Sequence, residues 1–295
     1  MNLKLRPYVG ERDWLDIIDI IQSDPIFHHS VDFSWRLCST SLEDFRNAAL
    51  WENEKGEVCA FAALQFAWLT FDYAIRPEIR NWEVETQILE WGETRLRQIV
   101  QETNEHFPFN VSSFTYEQER VALLEKRGYV RWENFLVVLS QPLNTIPVPN
   151  IPKGFVIRSL AGADEVEQYV ALHRAAFDSA IMTPSWRLRT LRTPFYNPEL
   201  DLVAVAPDGR LAGFCVWWYN PQLKTAQIEP LGVSSDFQHL GLSQALMQVG
   251  FGRAAALGAE RVMVDTYNFN LPTLKAYEVA GFRVVYQINK YYKEY

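Results

Sequence analysis

The chain has few of the residues that cross-link small proteins or hold metal ions. Among its 295 residues there are only three cysteines, Cys38, Cys59 and Cys215, an odd number whose spacing matches no metal-binding motif. The sequence therefore argues against a disulfide framework, and we expect no metal site. Cys59 and Cys215 lie inside apolar, strand-like runs, which is typical of reduced core residues in a cytoplasmic protein.

Long apolar runs and excess positive charge are also absent. No uninterrupted apolar run is long enough to span a bilayer, and the first residues, MNLKLRPYV, lack the apolar core of a signal peptide. The formal net charge is −8, which does not favour nonspecific binding to nucleic acid. We expect no membrane partner and no nucleic-acid partner.

What is present is a globular composition with a proline-rich stretch near the middle. Hydrophobic residues make up 48% and charged residues 22% of a chain that is long enough for two domains. Residues 141–153 contain Pro142, Pro147, Pro149 and Pro152. Proline disfavours regular structure and favours an extended connection, so this stretch is predicted to be a linker between domains 1–140 and 154–295.

The two halves share the same order of predicted elements. Each has a strand, helices, a glycine-containing hairpin, a further strand, and then a helix–strand–helix–strand series. Gly56 aligns with Gly209 and Gly128 with Gly281 at a repeat offset of roughly 152 to 158 residues. The sequence predicts two tandem α/β domains, each with a mixed, mostly antiparallel sheet flanked by helices.

The segment Ile228–Leu246 is predicted to cradle a phosphate. An apolar strand passes through a short polar link and a glycine turn into an amphipathic helix. Gly241 has no Cβ, so the backbone there can approach a ligand closely. The first turn of the helix offers unpaired N–H groups and the positive end of the helix dipole. Such a site suits an anionic cofactor.

Two motifs at the correct distance give this segment a family resemblance. Gln238-x-x-Gly241-x-Ser243 is followed by a strand, by Asn270, by Tyr277 and by Gly281-Phe282. This combination resembles the GNAT superfamily of acyl-CoA-dependent N-acetyltransferases, in which the two segments form the walls of the cofactor cleft. The resemblance implies acetyl-CoA as co-substrate and a sheet that is splayed at its centre.

The resemblance also implies the residues that contact the cofactor. They are Leu231, Gly232, Val233, Gln238, His239, Leu240, Gly241, Leu242, Ser243, Asn270 and Tyr277.

Acyl transfer to an amine needs a proton acceptor, a proton donor and a group that polarises the carbonyl. By the resemblance, Tyr277 is the general acid near the sulfur and the backbone N–H of Val233 polarises the carbonyl. Glu229 could accept the amine proton directly or through water, bind the substrate ammonium group, or simply face solvent. Pro230 is unusual in a strand centre and fits either a splay in the sheet or a strand that begins at Leu231.

The first half lacks the residues that the second half offers. Arg80, Glu83 and Glu85 stand opposite Gln238, Gly241 and Ser243, while Glu117 and Leu124 stand opposite Asn270 and Tyr277. Carboxylates at the first helical turn repel a pyrophosphate, and side chains fill the cradle. The N-terminal copy is therefore predicted to be non-catalytic.

The combined prediction is a cytoplasmic tandem protein whose C-terminal domain acetylates a primary amine of a small molecule by direct attack. Within the superfamily, Glu229–Val233 in a two-copy chain is similar to the mycothiol synthase family, although Gln238, His239 and Leu240 replace its usual arginines. Two alternatives stay open: a non-catalytic acyl-CoA-binding or regulatory module, and a peptide or protein N-acetyltransferase. The sequence predicts neither the acceptor nor the oligomeric state.

Overall fold

The computed structural model of the protein describes residues 3–24 and 29–295, and its packing divides the chain into two compact units. The first unit contains the described residues of Met1–Val137, Tyr267–Phe269 and Gln287–Tyr295, and the second contains Val138–Thr266 and Asn270–Tyr286. The chain thus returns to the first unit twice. This division differs from the two consecutive halves predicted above, because the last strand pairs within the first unit.

The first unit contains six strands and four α-helices in its described part before the chain passes into the second unit. They are β1 (Lys4–Pro7), α1 (Trp14–Ser23), α2 (Phe33–Leu37), β2 (Ala48–Glu52), β3 (Val58–Gln65), β4 (Thr70–Ile75), α3 (Trp82–Thr103), β5 (Pro108–Phe114), α4 (Gln118–Lys126) and β6 (Val130–Pro142), whose last residues belong to the second unit.

The sheet of the first unit is mostly antiparallel, in the order β1-β2-β3-β4-β5, followed by the C-terminal strand and β6. Strand β3 is buried along its whole length, as its apolar sequence VCAFAALQ predicts for a central strand. Strands β4 and β5 run parallel and pair only at Thr70 and Asn110. The C-terminal strand pairs with β5 from Ile288 opposite Phe114 to Glu294 opposite Pro108.

The second unit repeats this order. Its elements are β7 (Val156–Ser159), α5 (Val166–Phe177), α6 (Pro184–Thr190), β8 (Asp201–Val205), β9 (Leu211–Asn220), β10 (Thr225–Val233), α7 (Leu242–Ala256), β11 (Arg261–Tyr267), α8 (Leu271–Val279) and β12 (Arg283–Glu294), the C-terminal strand that crosses into the first unit.

The strand order in the second unit is β11-β10-β9-β8-β7, with the end of β6 beside β11. The hairpin between β8 and β9 turns at Gly209, whose φ of +86° suits glycine. Helices α5 and α7 both pack on β9. Trp217 lies against Gly250, where an added Cβ would fall 2.1 Å from the indole ring. This tight packing fixes the position of α7 on the sheet.

Three local features differ from the elements predicted by pattern. Helix α2 was not predicted, because five residues with three aromatic or apolar side chains show no helical periodicity. Strand β6 runs to Pro142, and Leu143 N donates to Glu260 O at 2.8 Å, so part of the predicted linker is paired. Further on, Asn150 N donates to Gln248 Oε1 at 2.8 Å. In the described ranges, no helix is both long and apolar enough to cross a membrane.

Candidate active site

The sheet of the second unit opens beside Glu229. Strands β10 and β11 pair in parallel through three residue pairs, the last of which joins Gln227 to Met263. Strand β10 continues to Val233, and its antiparallel register with β9 shifts between Ile228 and Leu231, at the cis Glu229–Pro230 peptide. Strands β10 and β11 therefore separate just before Pro230, which has no N–H to donate to a neighbouring strand.

The polar link after β10 forms an open cradle at the start of α7. Gly241 is the N-cap residue with φ +82°, and no side chain caps the helix. An added Cβ at Gly241 would meet nothing within 4 Å, so the space next to the first turn is open. His239 also has a positive φ, of 63°. Uncapped N–H groups at a helix N-terminus are a binding site for a phosphate group.

A cavity of about 590 Å³ joins the cradle to the end of β10. Ten of the predicted site residues line it: Leu231, Gly232, Val233, Gln238, His239, Gly241, Leu242, Ser243, Asn270 and Tyr277. The two remaining ones, Glu229 and Leu240, are not among the lining residues; Leu240 is exposed at 48%. The structure thus brings together two segments that are nearly 30 residues apart in sequence.

Sequence reasoning missed six lining residues. They are Ala176, Phe177, Phe237, Pro272, Thr273 and Ala276. The last three share a helical face with Asn270 and Tyr277, so helical spacing could have found them. Ala176 and Phe177 come from α5, more than 50 residues before the motif, and no local signal points to them.

Gly232 is held by close packing. A Cβ at this position would lie 2.5 Å from Phe214 Cζ and 3.0 Å from Ala176 Cβ. Since real Cβ contacts are essentially never as short as 2.5 Å, a larger residue would displace the Phe214 ring of β9 and crowd Ala176 of α5. Gly232 therefore permits close packing of β9 and α5 at this wall of the cavity.

Tyr277 is a buried phenol at the edge of the cavity. It is 7% exposed, and Asn270 caps its helix by accepting from Thr273 N at 3.4 Å. Burial, then the charges of Glu229 and Asp265, raise the pKa of Tyr277. In the described part of the chain no hydrogen bond to its hydroxyl is found. The hydroxyl therefore stays protonated at neutral pH and can donate to a ligand.

A buried ion pair lies close to this end of the site. Arg187 and Asp201 are fully buried and bonded to each other, and Tyr196 Oη donates to Asp201 Oδ2 at 2.6 Å. Arg187 Cζ lies 3.7 Å from the centroid of the Tyr169 ring. This cluster was not predicted from the sequence, because its members are scattered over α5, α6, β8 and the segment between α6 and β8.

Helix α3 of the first unit corresponds to α7, and its N-terminus is capped by a side chain. Asn81 Oδ1 accepts from Val84 N at 3.0 Å and so caps the first turn of α3. Arg80 Nη1 donates to the buried Glu85 at 2.7 Å, and Arg80 is also paired with Asp24. The cavity there is smaller, about 360 Å³. Since the helix N-terminus already has its hydrogen-bond partner, it offers little to a phosphate.

Comparisons with known proteins agree with this geometry. Residues 167–282 match the model of the Acetyltransferase (GNAT) family. A mycothiol acetyltransferase of Geodermatophilus obscurus is 25% identical over 170 residues, which are 54% of this chain and 55% of that protein. The match therefore spans about half of that relative's length.

Solved structures resemble the chain over nearly its full length. A GCN5-related N-acetyltransferase from Sphaerobacter thermophilus gives a TM-score of 0.67 at 20% identity, covering 99% of this chain and 95% of that one. A tandem GNAT protein from the clavulanic acid biosynthesis pathway gives 0.67 at 14% identity, covering 99% and 98%. At this identity the likeness shows the fold, and the predicted fold class is confirmed.

Proposed function

We propose that the chain is an acetyltransferase of the GNAT family and that its second unit transfers an acetyl group from acetyl-CoA to a primary amine of a small molecule. The observation that carries this proposal is the uncapped start of α7, which opens on the same cavity as Tyr277. One end of that cavity suits an anion, and the other offers a protonated hydroxyl.

The residues at the cradle fit the pyrophosphate of acetyl-CoA. Leu242 and Ser243, in the first turn of α7, offer backbone N–H groups, and the space beside Gly241 is open. Gln238 and His239 are exposed beside them. No lysine or arginine is found among the described residues that line the cavity, so backbone dipoles provide the positive field.

The reaction requires three actions from this chain. Acetyl-CoA, when bound, supplies the activated acetyl group as a thioester. Glu229, on the separated part of β10, accepts the proton of the acceptor ammonium group directly or through water. The Val233 N–H polarises the acetyl carbonyl, and the Tyr277 hydroxyl donates to the departing sulfur. The free amine then attacks the carbonyl carbon and the C–S bond breaks, with the Tyr277 proton going to the sulfur. The proton released by the attacking nitrogen restores the Tyr277 hydroxyl, so that a neutral amide and a thiol result.

The first unit is proposed to be a non-catalytic copy. Its aligned helix N-terminus is capped by Asn81, and its aligned tyrosine position is Leu124, which is fully buried and has no proton to donate. Acetyl-CoA should therefore bind once per chain.

The test is a substitution that fills the cradle. Gly241→Glu adds a side chain and a negative charge beside the first turn of α7, and acetyl-CoA binding measured by calorimetry should disappear. The matched control is Gly209→Glu, because Gly209 has a similar φ of +86° and equally open space but lies in the β8–β9 hairpin. The control should bind one acetyl-CoA per chain.

Either of two results would contradict this assignment: two equivalent sites per wild-type chain, or equal loss of binding in both variants. Tight binding with no product across a panel of amines would instead favour a non-catalytic acyl-CoA-binding module.

A further inference from the structure

The main-chain carbonyl of Glu229 is held by a side chain of the neighbouring strand. Trp218 Nε1 on β9 donates to Glu229 O at 2.7 Å. This hydrogen bond lies at the register shift between Ile228 and Leu231, where β10 departs from its regular ladder with β9. A main-chain carbonyl that is shielded from water needs a hydrogen-bond partner. The Trp218 indole therefore provides a partner at a point where regular strand pairing is interrupted.

Trp218 is a rigid anchor for this hydrogen bond. Its side chain is 1% exposed, and on β9 it pairs with Gln227, two residues before Glu229. Side chains in a closely packed interior are restricted to one rotamer. The indole N–H therefore points in one direction, and the Glu229 carbonyl is held where that N–H meets it.

The position of this anchor on β10 makes it relevant to the reaction. The mechanism proposed above uses the Glu229 carboxylate, and the wall of the cavity begins two residues further on, at residues 231–233. The ladder between β10 and β11 ends at Gln227, so it does not reach Glu229. The hydrogen bond from Trp218 acts from the side of β9, just before the segment that lines the cavity.

We propose that Trp218 is a positioning residue that acts through Glu229. Its indole N–H fixes the main chain at Glu229 and so orients the carboxylate that accepts the proton of the acceptor ammonium group. This inference rests on the proposed function. Without the indole N–H, the main chain beside the register shift gains freedom, and the carboxylate is less often in the reactive orientation. The start of α7 is a separate element, so acetyl-CoA binding does not depend on this hydrogen bond.

The experiment removes the indole N–H and measures turnover and cofactor binding separately. Trp218→Phe in the full-length protein should lower kcat by about 10- to 100-fold, because a small displacement of a catalytic group can cost about that much. The dissociation constant of acetyl-CoA, measured by calorimetry, should change little. The acceptor is whichever of butylamine, benzylamine and ethanolamine gives the wild type its highest kcat/KM. If Trp218→Phe does not fold, benzothienylalanine at position 218 keeps the size of the indole and replaces its N–H by sulfur.

The matched control is Trp14→Phe in the first unit. Trp14 is 3% exposed, and its Nε1 donates to Tyr8 Oη at 2.9 Å, so this variant loses the same side-chain volume and a similar buried hydrogen bond. Both variants should have a lower melting temperature, whereas Trp14→Phe should keep the wild-type kcat. Equal kcat in the two folded variants would overturn the role of Trp218.

A double variant shows whether Trp218 acts through Glu229. In a Glu229→Gln background the proton acceptor is already absent, so Trp218→Phe should lower kcat no further. The same fold-loss of kcat with glutamate and with glutamine at position 229 would overturn the inference and leave the proposed function intact. An absence of product from all three amines with the wild type, while acetyl-CoA still binds, would overturn the proposed function and this inference together.

Discussion

Tyr277→Phe should lower turnover strongly and change stability little, and the structure gives the expected size of both effects. The ring keeps its contact with Phe282, whose centroid lies 5.6 Å away. Because the hydroxyl makes no hydrogen bond within the described chain, its removal leaves no buried partner unsatisfied, and the free energy of unfolding should change by less than about 1 kcal/mol. Turnover should fall by about 10²- to 10⁴-fold, the usual contribution of a positioned proton donor.

The control for this experiment is Tyr73→Phe in the first unit. Tyr73 is 1% exposed, and its hydroxyl accepts from Arg120 Nε at 2.9 Å. Its loss should destabilise the protein by about 1.5–3 kcal/mol, because a buried charged donor loses its partner, while turnover stays close to that of the wild type. Urea unfolding and steady-state kinetics on both variants give the comparison. Wild-type turnover in Tyr277→Phe would refute the donor role, and destabilisation equal to that of Tyr73→Phe would refute the structural argument.

Two further predictions test other parts of the molecule. The double variant Glu83→Ala, Glu85→Ala should leave kcat nearly unaltered. It should lower the melting temperature, because Glu85 is buried and paired with Arg80. A large loss of kcat in folded protein would show that these carboxylates take part in the reaction. Burial, with Arg187 and Arg174, lowers the pKa of His173 to about 4, so the unfolded chain binds a proton between pH 6.5 and 4 that the folded chain does not. The free energy of unfolding should therefore fall by up to about 3 kcal/mol as the pH is lowered from 6.5 to 4. Urea unfolding of the wild type and of His173→Gln at each pH should show a smaller fall in the variant. Equal dependence of the unfolding free energy on pH in the two proteins would rule out His173 as the cause.

Motif spacing groups the predicted cofactor-contacting residues on one cavity, for a physical reason. Gln238, Gly241 and Ser243 lie in one continuous turn and helix start, and Asn270 and Tyr277 lie within two turns of α8. Geometry inside a single helix or turn follows directly from spacing in sequence. The structure places these residues on one cavity, while their chemical roles stay predictions.

The residues around the opening of β10 could not be predicted in the same way. Asp265 is placed beside it by the register of β10 with β11, and Tyr169 is placed on β9 by the packing of α5. Period-two alternation places Glu229, Leu231 and Val233 on one face only in a regular strand, whereas β10 contains a register shift. Such tertiary features leave no local pattern in the sequence.

The pairing of β12 with β5 has a consequence for how such a chain can evolve. The segment that carries Asn270 and Tyr277 is followed by Gln287–Tyr295, and this last piece belongs to the sheet of the first unit. A shortened gene that encoded only residues 154–295 would leave seven residue pairs of the C-terminal strand without their partner. A duplicated copy that has lost its chemistry is usually free to be deleted. Here the C-terminal strand belongs to the sheet of the first unit, so a first unit without catalytic activity would still be needed for folding.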